Sequence, residues 1–145
     1  MSTPGMGYMI SALRGNGSSV DTFQSAVNKT IASIALDPEY NGGDGGLRIA
    51  FTDLSGIVLF DDARSCCENR YMHTDEDLQS FIGAQLVGAE TRDAPDREDE
   101  HGEYHEVQFL LVHTDLGTFT LETHNEHNGY YGGFSLQCNK LQGVS

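Results

Sequence analysis

Basic residues are scarce in this 145-residue sequence: eight lysines and arginines stand against 22 aspartates and glutamates, for a formal net charge of −14. Non-specific binding to nucleic acid needs clustered cations on the phosphates, so this balance argues strongly against it. It is compatible with one small anionic ligand held by a few local arginines. Long apolar runs are also absent, since no stretch approaches the roughly 20 residues of a membrane span. Residues 1–10 lack the basic and apolar regions of a secretory signal, so we expect none.

Cysteine is rare, with three residues at Cys66, Cys67 and Cys138. An odd number that includes an adjacent pair is a poor framework for disulfides. No two cysteines have the spacing of about two to four residues that is typical of a zinc site. We interpret them as reduced, partly buried thiols, and a redox or nucleophilic role for Cys66 or Cys67 is the less favoured alternative.

The pattern of apolar residues predicts an α+β domain with a mainly antiparallel sheet of six or seven strands and one short helix. The strand candidates are residues 30–36, 47–52, 57–60, 85–91, 107–114, 118–124 and 134–138. Residues 74–81 predict the helix, with Thr74 as N-cap and acids in the first turn. Glycine and serine in residues 1–24 predict a flexible N-terminal extension before a single domain over 25–145. The acidic residues 93–106 predict a solvated loop, because the EF-hand order of calcium ligands is absent.

The densest group of polar and aromatic side chains lies in residues 123–134, with the sequence THNEHNGYYGGF. Asparagine and glutamate can bind a base edge or ribose hydroxyls, and tyrosine and histidine can stack on a base. The glycines allow the backbone to approach a ligand closely. The candidate ligand-binding residues in this motif are His124, Asn125, Glu126, Asn128, Tyr130 and Tyr131. The alternative is a hairpin turn whose polar groups satisfy one another.

A second motif, RSCCENRYMH over residues 64–73, contains Arg64 and Arg70, two of the eight basic residues. Their guanidinium groups can bind a phosphate through paired hydrogen bonds. The alternative is an ion pair with neighbouring acids such as Asp61, Asp62 or Glu68.

A metal site is the third possibility, because His124, Glu126 and His127 offer two imidazoles and a carboxylate, with His113 on a neighbouring strand. The spacing is not that of the helical H-E-x-x-H motif, and the surrounding glycines disfavour a helix. We therefore predict no metal, no cofactor and no catalytic residue.

The two motifs resemble a small family of phage proteins with an SCCE-x-RYM element, a DAPD strand end, a VQFL strand and a NEHNGYYGGF turn. Residues 93–96 and 107–110 of this chain are DAPD and VQFL, so the resemblance covers about residues 31–138. The chain is similar in these motifs to the phage Thoeris anti-defence sponges. Those proteins sequester cyclic ADP-ribose signals, and some also bind cyclic oligonucleotides. Where such proteins often have an aromatic residue and then an arginine after G-G-F, this chain has Ser135, Leu136 and Gln137.

The resemblance implies an anti-defence protein in the cytoplasm of the host bacterium, a homo-oligomer that binds a nucleotide immune signal at subunit interfaces without cleaving it. In that interpretation Phe109 packs against the base, Glu126 and Asn125 bind ribose hydroxyls or the adenine amino group, and the arginines bind the diphosphate. Arg70, Arg48 or Arg14 would replace the phosphate contact that the motif lacks after G-G-F. DNA, RNA and membranes are not expected partners.

Two other functions are compatible with the sequence. One is a hydrolase or phosphodiesterase of such a signal that uses His124, Glu126 and His127, with or without a metal. The other is an acidic inhibitor that binds a basic host defence protein through a continuous negative face.

Overall fold

The computed structural model describes residues 17–62, 69–93, 97–98, 104–127, 134 and 136–141. Most of these residues lie in nine strands: β1 (Ile31–Asp37), β2 (Gly46–Phe51), β3 (Gly56–Asp61), β4 (Asn69–His73), β5 (Leu86–Asp93), β6 (Arg97–Glu98), β7 (Tyr104–Thr114), β8 (Gly117–His127) and β9 (Leu136–Lys140). Helix α1 (Gly17–Ala26) precedes β1, and α2 (Tyr40–Gly43) is a single turn between β1 and β2. Within the described ranges, no helix is both long enough and apolar enough to cross a membrane.

The strands form two antiparallel sheets rather than one. The first sheet has four strands in the order β1-β2-β3-β9, and the second has the order β4-β8-β7-β5, with the short β6 paired to β7. An isolated bridge from Thr30 to Gln85 connects the starts of β1 and β5. The predicted mainly antiparallel architecture is therefore confirmed, whereas the count of six or seven strands is too low for the residues that the structure describes.

Alternation along the strands builds a shared core. In β8 the side chains of Phe119 and Leu121 are fully buried, whereas Thr120 and Glu122 are half-buried, as expected for a strand with one face on the core. One apolar cluster joins residues of both sheets with Phe23 of α1. Strand β3, which lies between β2 and β9, is buried along its whole length.

The predicted flexible extension is wrong for residues 17–24, because these residues belong to α1. Phe23 and Ala26, three residues apart on one face of the helix, are buried to 0% and 1% exposure. Ser19 fixes the helix to β9, since its hydroxyl donates to Gln137 Oε1 at 3.0 Å and accepts from the backbone N–H of Cys138 at 3.1 Å. Residues 1–16 lie outside the described residues.

The predicted helix over residues 74–81 is reduced to one 3₁₀ turn, Leu78–Phe81. Its N-cap is Asp77, whose carboxylate accepts a hydrogen bond from the Gln79 N–H. Thr74 does not cap it, because the turn begins only at Leu78; the Thr74 hydroxyl accepts from the Glu76 N–H at 3.2 Å and donates to the Thr120 carbonyl oxygen at 2.7 Å.

The predicted solvated loop over residues 93–106 is also partly wrong. Strand β7 already begins at Tyr104, and β6 pairs with it. The reason is that β8 continues to His127 and gives residues 104–106 a hydrogen-bonding partner strand.

Candidate functional site

The described parts of the two motifs, residues 69–73 and 123–127, lie on adjacent strands in the fold. Strand β4 pairs with the end of β8, so that Arg70 lies opposite Asn125 and Tyr71 lies opposite His124. Phe134, the last residue of the 123–134 motif, has its ring centroid 5.8 Å from the Arg70 guanidinium carbon. Residues distant in the sequence therefore meet at one end of the second sheet.

The sheet nevertheless divides the predicted site into two parts. Successive side chains of a strand point to opposite faces, and in β8 the residues Asn125 and His127 are buried on the core side, whereas His124 and Glu126 lie on the other side. We call these the inner face and the outer face of the second sheet. His124 and His127 therefore do not form one group. They are three residues apart on the strand, and an odd separation places their side chains on opposite faces.

The outer face carries an aromatic cluster around His124. The Tyr71 ring stacks on the His124 imidazole, with centroids 4.6 Å apart and planes 6° apart. On its other side His124 Nδ1 lies 2.8 Å from His105 Nε2. One of these two nitrogens must carry the proton and the other must accept it. The three rings therefore form a row across β4, β8 and β7.

Carboxylates flank this row on both sides. Glu122 Oε1 lies 3.0 Å from His124 Nε2, so that a chain of hydrogen bonds runs from Glu122 through His124 to His105. Burial raises the pKa of the Tyr71 phenol above its usual 10.0, and the hydrogen bond to Glu126 raises it further. Tyr71 is therefore a neutral phenol at physiological pH, and it donates to the Glu126 carboxylate.

Phe109 belongs to the same face. It lies opposite Glu122 on β8 and opposite Arg92 on β5, and it is half-buried. The structure thus brings together three of the predicted site residues, Phe109, His124 and Glu126. It adds Tyr71, His105, Glu122 and Arg92, which the sequence reasoning did not assign to the site. Alternation from Phe109 and His124 would have identified His105 and Glu122, whereas Tyr71 and Arg92 depend on strand pairing.

The inner face at the same end of the sheet is a buried polar layer. The Arg70 guanidinium forms an ion pair with the Asp61 carboxylate of β3, and both side chains are at most 2% exposed. This is the alternative that the sequence left open for Arg70. Glu106 Oε1 lies 2.8 Å from His127 Nε2 and accepts a weak hydrogen bond from Asn125 Nδ2 at 3.4 Å. Arg70 and Asn125 therefore face the core and not the surface that bears His124.

Four further predicted site residues, Arg64, Asn128, Tyr130 and Tyr131, lie outside the described residues, as do Cys66 and Cys67. Arg48, an alternative phosphate contact, is in the first sheet and pairs with Asp37 at 2.9 Å.

The group of side chains best placed to hold a metal ion is His73, Asp75 and Glu122, whose ligand atoms all lie within 4.8 Å of one another in the described part of the chain. His73 and Asp75 are exposed and already form a hydrogen bond of 2.8 Å. An ordinary surface hydrogen bond accounts for this geometry, so it does not by itself indicate a metal centre.

No match is found among curated proteins or among solved structures. A family model does match the chain over residues 24–136, from the end of α1 to the first residue of β9, and so includes both sheets and both faces of the candidate site. This span is well over half of the sequence, and the chain therefore belongs to the family described as Domain of unknown function (DUF7448).

Proposed function

We propose that the protein binds a nucleotide immune signal of the cyclic ADP-ribose type and sequesters it without cleavage. The observation that supports this proposal best is the row of rings formed by Tyr71, His124 and His105 with carboxylates on either side. Such a row offers aromatic surface for a base and acceptors for ribose hydroxyls. The resemblance to the anti-defence sponges points to the same class of ligand.

Each group on the outer face has a distinct part in the proposed complex. Phe109 and the Tyr71–His124 pair provide aromatic surface for the purine. Glu122 and Glu126 accept hydrogen bonds from ribose hydroxyls or from the adenine amino group. Arg92, whose side chain is 65% exposed and lies 3.5 Å from Glu90 Oε1, is a cation of this face that can bind the diphosphate.

The negative charge of the chain opposes an anionic ligand at long range. At cytosolic salt, however, charges farther away than about 8 Å are largely screened. Local charges therefore decide: Arg92, beside Phe109, attracts the diphosphate, which competes for it with the Glu90 carboxylate 3.5 Å away. A second copy of the chain closing over this face would strengthen its electrostatic contacts by excluding water.

The experiment is retention of an intact ligand. The full-length protein is incubated with cyclic ADP-ribose isomers, linear ADP-ribose and cyclic oligonucleotides, filtered free of unbound ligand and then denatured by heat. We expect one cyclic ADP-ribose isomer to be released unchanged and in near-stoichiometric amount. Release of none of these compounds would contradict the proposal.

A hydrolase is the second candidate, and the hydrogen-bonded chain Glu122–His124–His105 favours it. A carboxylate that orients an imidazole is the usual arrangement of a general base. In the same experiment this candidate predicts a cleaved product and multiple turnovers, and it predicts that Glu122→Gln abolishes the cleavage.

A further inference from the structure

A cavity of about 260 Å³ lies at an end of the first sheet, and none of its lining residues belongs to the aromatic row. It is bounded by the end of α1, the turn between β2 and β3 and the end of β9. Much of its wall is apolar, with Ala26, Phe51, Ile57 and Leu141 among the lining residues. The cavity is thus a separate feature, unrelated to the site assigned above.

The whole sequence contains only two lysines, Lys29 and Lys140, and both line this cavity. In a chain of net charge −14, placing both ammonium groups beside one apolar pocket makes it a local positive site. Lys29 Nζ lies 3.0 Å from Asp53 Oδ2, which neutralises one of the two charges. Lys140 has no ion pair with any residue in the described ranges, so one positive charge remains in excess.

The hydrogen bonds of Lys29 leave it able to bind a ligand. Its ammonium group donates to Ser55 Oγ at 2.8 Å and pairs with Asp53, and an ammonium group has three protons. It also lies 6.0 Å from the centroid of the Phe51 ring. The third proton of Lys29 and the protons of Lys140 are thus available at the mouth of a pocket with an aromatic wall.

The size of the cavity limits what it can hold. Pockets for drug-sized ligands measure roughly 300–1,000 Å³, so this cavity suits a smaller molecule than a cyclic dinucleotide. The apolar wall favours a hydrocarbon body, and the two lysines favour one acidic group. A carboxylate and a phosphate monoester both meet these requirements.

We propose that this cavity binds a small organic anion, in which an aromatic or short aliphatic body packs on Phe51 and Ile57 and an acidic group lies between Lys29 and Lys140. The probes are phenyl phosphate and benzoate, with neutral benzamide and inorganic phosphate as controls. Each is titrated into the ¹⁵N-labelled full-length protein, and the amide resonances of Ser55, Gly56 and Leu141 report occupancy. The tighter of the two anions identifies the acidic group as phosphate or carboxylate.

We expect saturable shifts with phenyl phosphate or benzoate, and we expect Lys140→Gln to weaken that binding by about tenfold or more. Lys140 is exposed, so this variant keeps the fold, which its own spectrum verifies. Arg48→Gln is the matched control, because it removes an exposed cation of the first sheet that does not line the cavity, and it should leave the affinity unchanged. Three results would overturn the proposal: equal affinity for benzamide or inorganic phosphate, unchanged affinity in Lys140→Gln, or dissociation constants above about 10 mM for both anions.

Discussion

Tyr71 and His124 stack almost in parallel, 4.6 Å apart, although they come from the two separate motifs of the sequence. This contact exists because β4 pairs with the end of β8 and places the two residues directly opposite each other. The same register gives Tyr71 its hydrogen bond to Glu126 and brings His124 beside Glu122 and His105. The candidate site is therefore a property of strand pairing, and the predictions below test its parts.

The titration of Tyr71 tests the outer face. Its pKa lies above 10.0, mainly through burial and then through Glu126. A raised pKa means that the phenol contributes to stability below about pH 10 and that this contribution is lost as the pH rises through the raised value. We expect Glu126→Gln to lower the pKa of Tyr71 toward 10, as measured by NMR of ¹³C-labelled tyrosine. Glu76→Gln, at an exposed residue, is the control and should leave it unchanged. An unaltered Tyr71 pKa in Glu126→Gln would contradict the hydrogen bond between Tyr71 and Glu126.

The Asp61–Arg70 ion pair tests the inner face. Arg70→Met leaves the Asp61 carboxylate buried without its guanidinium, and breaking a buried pair in this way costs about 3–5 kcal/mol of unfolding free energy. The double variant Asp61→Leu with Arg70→Met removes both charges, and we expect it to be more stable than Arg70→Met alone. Denaturation in urea measures the free energy of unfolding of the single and the double variant. If Arg70 instead binds the ligand directly, the double variant will fold and yet lose ligand retention.

The turn between β2 and β3 contains a strained residue. Leu54 has a φ of 71°, in the left-handed region, and its side chain is 71% exposed. Leu54→Gly relieves the clash of Cβ with the backbone and removes little buried apolar surface. We therefore expect the free energy of unfolding, measured by thermal denaturation, to rise by about 1 kcal/mol. Leu116→Gly is the matched control, because Leu116 is similarly exposed but does not have a positive φ. A loss of stability in Leu54→Gly as large as that in Leu116→Gly would contradict the assigned backbone conformation.

The reactivity of Cys138 tests the packing of β9. Burial raises the pKa of its thiol to about 12, so almost none of it is thiolate at neutral pH. We expect iodoacetamide to leave Cys138 unmodified in the folded protein and to alkylate it after unfolding in urea, as determined by peptide mass spectrometry. Equal rates of modification in the two states would show that β9 does not cover this thiol.

Local patterns in the sequence predicted most of the strands, and the candidates 30–36, 47–52 and 57–60 correspond to β1, β2 and β3, which pair in that order. Strand β8 continues past its predicted end at residue 124, and alternation along it places His124 and Glu126 on one face. Strand β4 was missed because Asn69–His73 is mostly polar in sequence, even its buried Arg70, and is stabilised by its non-local partner β8. For the same reason the sequence could not decide between a phosphate and an acidic residue as the partner of Arg70. Asp61 belongs to the other sheet, and no local spacing predicts a contact between sheets.

The most direct test of the central claim compares two histidines on the same face of the second sheet. His124 lies in the aromatic row, whereas His113 lies at the far end of β7 and contacts Thr118 and Glu90. His124→Ala and His113→Ala are each incubated with the cyclic ADP-ribose isomers, and the affinity for the retained isomer is measured by titration calorimetry. We predict that His124→Ala weakens binding by about tenfold or more and that His113→Ala binds as the unaltered protein does. Full affinity in His124→Ala would contradict the assignment of the ligand to this face.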